Sequence, residues 1–283
     1  MKPEEVARRE SGAKSEPGPK QLQWYTISQL REETSATIPY LVDGLLAEAS
    51  LSVIGGKIAV GKSTLARTLA YCVTHGTPFL DRDVVQGAVL YVAPEESKHG
   101  VMADLVALGF TDEDLLHLCF ASNENVLEQV LAKMQETHAR LVIFETIFRV
   151  LRIQDVNDYA QSTQKLDPVL ELARKTSAHV LFTHHLRKRD TTDALDALLG
   201  STAIGGTPDT RIILKKKADV RTVEVIQRYG QPVPETVLHY NAETKFISPA
   251  GSKEDFDKQK VQTAILNQTT EDWHRGALVE ITD

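Results

Sequence analysis

Between Ser50 and Thr183, short apolar runs alternate with amphipathic stretches. The runs are SLSVIGG (Ser50–Gly56), AVLYVA (Ala88–Ala93), LLHLCFA (Leu115–Ala121), RLVIF (Arg140–Phe144) and AHVLFT (Ala178–Thr183). Each is rich in Val, Leu and Ile, bounded by Gly, Pro or charge, and continuously apolar. That pattern predicts strands buried on both faces of a parallel sheet. The intervening segments KSTLARTLAYCVTHG, SKHGVMADLVALG, NVLEQVLAKMQETH and YAQSTQKLDPVLELARKT carry helical spacing. Alternating strands and helices predict an α/β fold, a mainly parallel central sheet flanked by helices, with ligands at the carboxyl ends of the strands. After Thr210 the pattern changes to RIILKKK, RTVEVIQRYG and ETVLHYNAETKFI, which read as a C-terminal antiparallel β extension. Residues 251–283 read as a helical segment, part of a small winged-helix unit.

Composition narrows the class. Hydrophobic residues make up 42% and charged residues 25% of the 283, the balance of a globular protein. A net charge of -7 gives no global pull towards nucleic acid, so any such binding needs a local basic patch. Cys72 and Cys119 are far apart in the sequence, which suggests neither a zinc site nor a disulfide framework, and both read as buried thiols. The first 37 residues mix charge with Pro, Gly and Ser and lack an apolar signal region, the mark of a flexible leader. No stretch reaches the roughly 18 apolar residues of a membrane span, and the expected location is cytoplasmic.

The densest chemistry lies in VIGGKIAVGKST. Gly56, Gly61, Lys62 and Ser63 fit G-x-x-x-x-G-K-[ST] between a strand and a helix, where the phosphate-binding loop requires them. Bare glycines let backbone N–H groups surround phosphate oxygens, and the following helix presents its positive end. Lys57, Val60 and Thr64 complete the loop, Lys62 reaches the β- and γ-phosphates, and the Ser63 hydroxyl meets Mg²⁺. The implied ligands are ATP and Mg²⁺.

Hydrolysis also needs a carboxylate near the metal and a group to act on water. YVAPEES supplies Glu95, with Glu96 as its rival, and the alternative reading places both acids in a helix's first turn. RLVIFETIFRV ends a strand in Glu145, positioned to hold the metal's water shell, with Thr146 beside it. HVLFTHHLRKR places Thr183, His184 and His185 where they can sense a γ-phosphate. Beyond them, Arg187, Lys188 and Arg189 can track a phosphate backbone, helped by Arg149 and Arg152.

Taken in order, GGKIAVGKST, VLYVAPEES, LVIFETIFRV, LFTHHLRKRD and GSTAIGGTPDTRIIL resemble the RecA-like ATPases of the RepA type, which include plasmid and phage hexameric replicative helicases. The resemblance spans roughly Ile38 to Pro249 and implies a RecA-like ATPase domain over 38–250. It further implies hydrolysis at the interfaces of a homo-oligomeric ring, a hexamer by analogy, gripping single-stranded DNA beside a replication or plasmid/phage protein partner. Glu95 matches the catalytic glutamate and the His184–His185 pair the sensor motif, with His185 the residue carried forward. IQRYGQPVPETVLHY looks like the terminal hairpin region that carries an arginine finger, so Arg228 is its candidate, supplied to the neighbouring subunit. Position 145 departs from the usual Asp, and the longer Glu is expected to crowd the metal's water shell and slow hydrolysis.

Two functions follow. The first is an oligomeric ATPase acting on single-stranded DNA, as a helicase or remodelling motor. The second is a nucleotide-gated regulatory or loading module that binds a protein partner and hydrolyses slowly if at all.

Overall fold

The computed structural model describes residues 22–153, 159–186 and 206–263, and the chain divides into two units at the Ile38–Pro39 bond. In the first unit, α1 (Ile27–Glu33) starts at a reciprocal cap. Thr26 Oγ1 accepts from the Gln29 N–H at 3.3 Å, and Gln29 Oε1 accepts from the Thr26 N–H at 2.8 Å. This satisfies two N–H groups that a helix start leaves open. No residue of α1 is buried, and Trp24 is 84% exposed. The leader residues 1–21 and the C-terminal residues 264–283 lie outside the described residues.

The second unit opens with a small antiparallel pair, β1 (Tyr40–Val42) and β2 (Leu46–Ala47). All five apolar runs become strands: β3 (Leu51–Gly56), β4 (Val89–Val92), β5 (Leu116–Cys119), β6 (Leu141–Phe144) and β7 (His179–His185). Four more follow, β8 (Thr210–Lys217), β9 (Val220–Gln227), β10 (Thr236–Tyr240) and β11 (Ile247–Ser252). They form one nine-stranded sheet in the order β11-β10-β9-β8-β3-β7-β6-β4-β5. Pairing is parallel from β8 through β5 and antiparallel from β8 out to β11. The α/β expectation, including its antiparallel extension, is met.

Successive side chains of a strand point to opposite faces, so each central strand feeds two cores. Leu90, Val92, Val142, Phe144, Val180 and Phe182 pack on one face with α4 (Val126–Thr137), α5 (Ile147–Val150) and α6 (Tyr159–Thr176). Val89, Tyr91, Leu141, Ile143, Leu181 and Ile212 pack on the other with α2 (Lys62–His75). A further helix, α3 (Lys98–Leu108), follows β4. The extension is joined to this second core: Ile247 is buried in it, and its N–H donates to Thr68 Oγ1 of α2 at 3.2 Å. Residues 253–263 are helical.

One strand departs from expectation. β5 reads as buried on both faces, yet it is the sheet's last strand, and its residues are half-buried or exposed. Cys119 is therefore exposed, whereas Cys72 is buried as expected. Among the described residues, no helix is long and apolar enough to cross a membrane.

At the opposite end of the sheet from the loop at Gly56, His179 opens β7 with no exposure to solvent. Its Nε2 meets Ser52 Oγ at 2.7 Å, and its Nδ1 meets the Ala47 carbonyl at 2.7 Å and Ser50 Oγ at 3.1 Å. A neutral ring donating from Nδ1 to the carbonyl and accepting the Ser52 hydroxyl satisfies this site. Burial pushes the His179 pKa down to about 4. The charged form is disfavoured in the fold, so the contribution is complete above the unfolded value near 6.5 and is lost as pH falls towards 4. Folding stability should drop by about 3 kcal/mol across that window from this group alone. Urea titrations of wild type and His179→Gln between pH 7 and pH 4 check this, the variant being weaker at neutral pH but lacking that part of the slope.

Candidate nucleotide-binding site

β3 runs between β7 and β8, with Gly56 level with His185 on one side and Leu214 on the other. A Cβ added at Gly56 would lie 2.7 Å from Val60 Cγ1 and 3.0 Å from the Leu214 carbonyl oxygen. The loop closes over this position only because no side chain is there. Val60 is buried in the α2 core, which leaves its backbone as the part a phosphate can meet. Gly61, at φ 109, caps α2 in the left-handed region, and its carbonyl accepts the Leu65 N–H at 2.9 Å. Lys57 is exposed. Lys62 is buried and curls back, donating from Nζ to the carbonyls of Gly56 at 3.1 Å and Lys57 at 2.9 Å. Burial lowers its pKa, and the charge of Glu145 opposes that.

Glu145 follows β6 and is 5% exposed. Ser63 Oγ donates to its Oε1 at 2.9 Å, while Oε2 is buried with no hydrogen-bond partner among the described residues. Burial pushes the Glu145 pKa up to about 7; the Ser63 hydrogen bond pulls it down, and Glu96 pushes it further up. The Thr183 hydroxyl lies near enough to favour the charged form without making a hydrogen bond of good geometry. A buried carboxylate oxygen without a partner, beside a hydroxyl and a loop of open N–H groups, suits a hydrated divalent cation. Ser63 and Glu145 are the residues that fit Mg²⁺.

The two adjacent acids have different partners. Glu96 accepts from Arg67 Nη1 at 2.8 and 3.0 Å and from the Tyr91 hydroxyl at 3.2 Å, and Arg67 Nη2 donates to Asp104 at 2.8 Å. Burial pushes the Tyr91 pKa well up, keeping the hydroxyl a donor. This network ties α2 to α3 and the turn after β4. Glu95 instead faces the turn after Glu145, where Thr146 Oγ1 donates to Oε2 at 3.4 Å.

A cavity of about 290 Å³ opens over the loop, with Ser63, Thr64 and His185 in its wall. His185 is exposed at the end of β7, its pKa lowered by partial desolvation and then by the charge of Lys62. His184 is buried, with its ring 5.0 Å from that of Phe148. The far wall comes from the antiparallel extension: Arg221 lies 5.0 Å over the ring of Tyr240, beside Ile247. A flat aromatic face backed by a cation suits the base of a nucleotide. Sequence reading missed this wall and Arg67. The residues fit no motif, and only their pairing across strands brings them to the loop.

Residues 18–191, more than half the chain, match the AAA domain family. The chain belongs to that family. It is a family of P-loop ATPases with RecA-like, helicase-related members, and membership implies nucleotide binding, usually with Mg²⁺. No curated protein matches the chain.

The AAA domain match ends before β8, so Arg228 and the base-facing wall lie beyond it. Arg228 is not brought to the nucleotide edge. It follows β9 where that strand meets the start of β8, and Nη1 pairs with Asp209 Oδ1 at 2.9 Å. The Asp209 N–H bonds to the Leu51 carbonyl at the beginning of β3, about 16 Å of strand from Gly56. The antiparallel return of β9 carries the residue to the end of the sheet opposite this chain's own phosphate loop. Arg187, Lys188 and Arg189 lie outside the described residues.

Arg67→Met leaves Glu96 and Asp104 without their cation. Because both acids keep some solvent contact, the loss should be about 2–3 kcal/mol, below that for a fully buried pair. Chemical denaturation measures it. Tyr240→Ala should weaken ATP binding roughly ten-fold by removing a stacking face, read by titration with a fluorescent ATP analogue.

Proposed function

We propose that this AAA domain protein is an oligomeric ATPase that acts on single-stranded DNA, a motor of the RepA-type helicase kind working as a ring. The observation that carries the hydrolytic part is the meeting of Ser63 and Glu145, from separate elements, beside a buried carboxylate oxygen with no partner. Lys62 then holds the β- and γ-phosphates, and Ser63 and Glu145 hold the hydrated cation. Mg²⁺ bound there would neutralise charge on the transferred phosphoryl group. Glu95 serves as the base for water, since Glu96 is committed to Arg67 and Tyr91. His185, in the cavity wall, is placed to respond to the γ-phosphate. Arg228, exposed and paired with Asp209 at the opposite end of the sheet, is the cation offered to a neighbouring subunit's nucleotide.

The ring, the hexamer and the single strand rest on the resemblance to RepA-type ATPases, supported by the exposed Arg149 and Arg152 after Glu145. The second reading, a nucleotide-gated module with slow turnover that binds a protein partner, draws on Glu145 itself. The longer Glu in place of the usual Asp crowds the cation's water shell and slows hydrolysis.

ATP turnover by the purified chain, with and without a dT oligonucleotide, separates the two. The motor reading expects turnover raised by the oligonucleotide and abolished by Lys62→Ala. Glu95→Gln should lower kcat by about 10²–10⁴-fold while nucleotide still binds. Turnover indifferent to DNA and as slow as that of Lys62→Ala would leave the gated module as the function.

A further inference from the structure

The segment between α2 and β4 holds carboxylates at fixed positions. Phe79, 1% exposed, anchors a two-residue hairpin closed by reciprocal backbone bonds. The Phe79 N–H donates to the Arg82 carbonyl at 3.0 Å, and the Arg82 N–H to the Phe79 carbonyl at 3.1 Å. The β1–β2 turn is tied to this hairpin. The Asp43 N–H donates to the Asp83 carbonyl at 2.9 Å, and Arg82 Nη1 to the Asp43 carbonyl at 2.9 Å. Asp43, Asp81 and Asp83 thus rim a groove of about 460 Å³ whose floor includes Leu45, Val225 and Val233. All three acids are exposed, and Arg82 is the cation beside them. Like charges held at fixed spacing repel, and a cation entering among them relieves this.

The chain carries suitable cations at the other end of the same strands. Lys216 and Lys217 lie where β8 turns into β9, both exposed and, among the described residues, without a carboxylate partner, whereas Lys215 pairs with Glu224. Asp219 in that turn offsets one of the two charges. Within one molecule the two groups cannot meet. Gln227 Nε2 donates to the Gly44 carbonyl at 3.1 Å, beside Asp43, while Lys217 is level with Val220. The strand between Val220 and Gln227 spans about 23 Å, and salt screens charges over about 8 Å.

Between two molecules they can meet. A lysine suits such a groove, its stem lying on the apolar floor and its ammonium reaching the acidic rim. Groove and hairpin are different surfaces, so their contact is head to tail, the kind that repeats from copy to copy and can close into a ring. The groove also lies beside Arg228, which follows Gln227 and is the cation offered to a neighbour's nucleotide.

We propose that the groove rimmed by Asp43, Asp81 and Asp83 receives Lys216 and Lys217 of a second copy of this chain, joining copies head to tail. The inference rests on the reading of the protein as a ring. It adds which surfaces meet and which charges set their direction.

The test is the oligomeric state of the full chain by sedimentation velocity at low and high salt, with circular dichroism to confirm folding. The proteins are wild type, Lys216→Glu with Lys217→Glu, Asp43→Lys with Asp83→Lys, and the chain carrying all of these substitutions. Asp81 is left in place because its φ of 60 disfavours most replacements. Wild type should assemble, and loosen as salt rises. Each paired reversal should weaken assembly roughly ten-fold or more, since like charges then face each other across the contact. The fully reversed chain should recover assembly to within a few-fold, which a merely damaged fold cannot do. Reversals that assemble as tightly as wild type, or a folded, fully reversed chain that stays apart, overturn the inference and leave the ring to other surfaces. Failure of the ring reading looks different: wild type itself remains a monomer, with and without ATP.

Discussion

Everything at the nucleotide edge is aligned to a strand that has no free side. β3 is buried on both faces and paired along both edges, so its end cannot drift, and the space beyond Gly56 is set by Val60 and Leu214. From that fixed end the register does the rest. His185 arrives level with Gly56 through β7, and the Leu186 N–H ties to the Gly56 carbonyl at 3.1 Å. Glu145 arrives through β6, continued by its own N–H bond to Val92 at 2.8 Å. A side chain at Gly56 would move the loop, and with it the relation between Ser63 and Glu145.

Three carboxylates near this edge illustrate how environment divides labour among like groups. Glu96 is neutralised by a buried guanidinium and serves as a fastener. Glu145 is desolvated and keeps one oxygen without a hydrogen-bond partner among the described residues. Glu95 remains partly in water, paired with the exposed Arg149. Their chemistry therefore differs through what surrounds each one.

Much of this was legible in the chain. The five strands and the loop were readable because continuous apolar runs and glycine spacing are local signals, and each survived folding nearly in place. Edge position is not local: nothing in LLHLCFA distinguishes a last strand from a central one, so Cys119 was misjudged. Which end of the sheet Arg228 occupies is non-local in the same way, since an antiparallel return decides which end of the sheet a residue reaches. Glu95 and Glu96 were adjacent and equivalent on paper, and only Arg67, a helix away, separated them. Arg221 and Tyr240 carried no signal because their pairing is made by strand register alone.

The extension has a further meaning. The phosphate loop and its carboxylates fall inside the family match, while Arg221, Tyr240 and Ile247 fall outside it. The phosphate-loop residues and the aromatic wall suited to a base are thus encoded in separate lengths of chain, joined by the Thr68–Ile247 bond. On the proposed function, such a division would let the choice of nucleobase drift or be re-engineered through the last four strands without disturbing the phosphate loop.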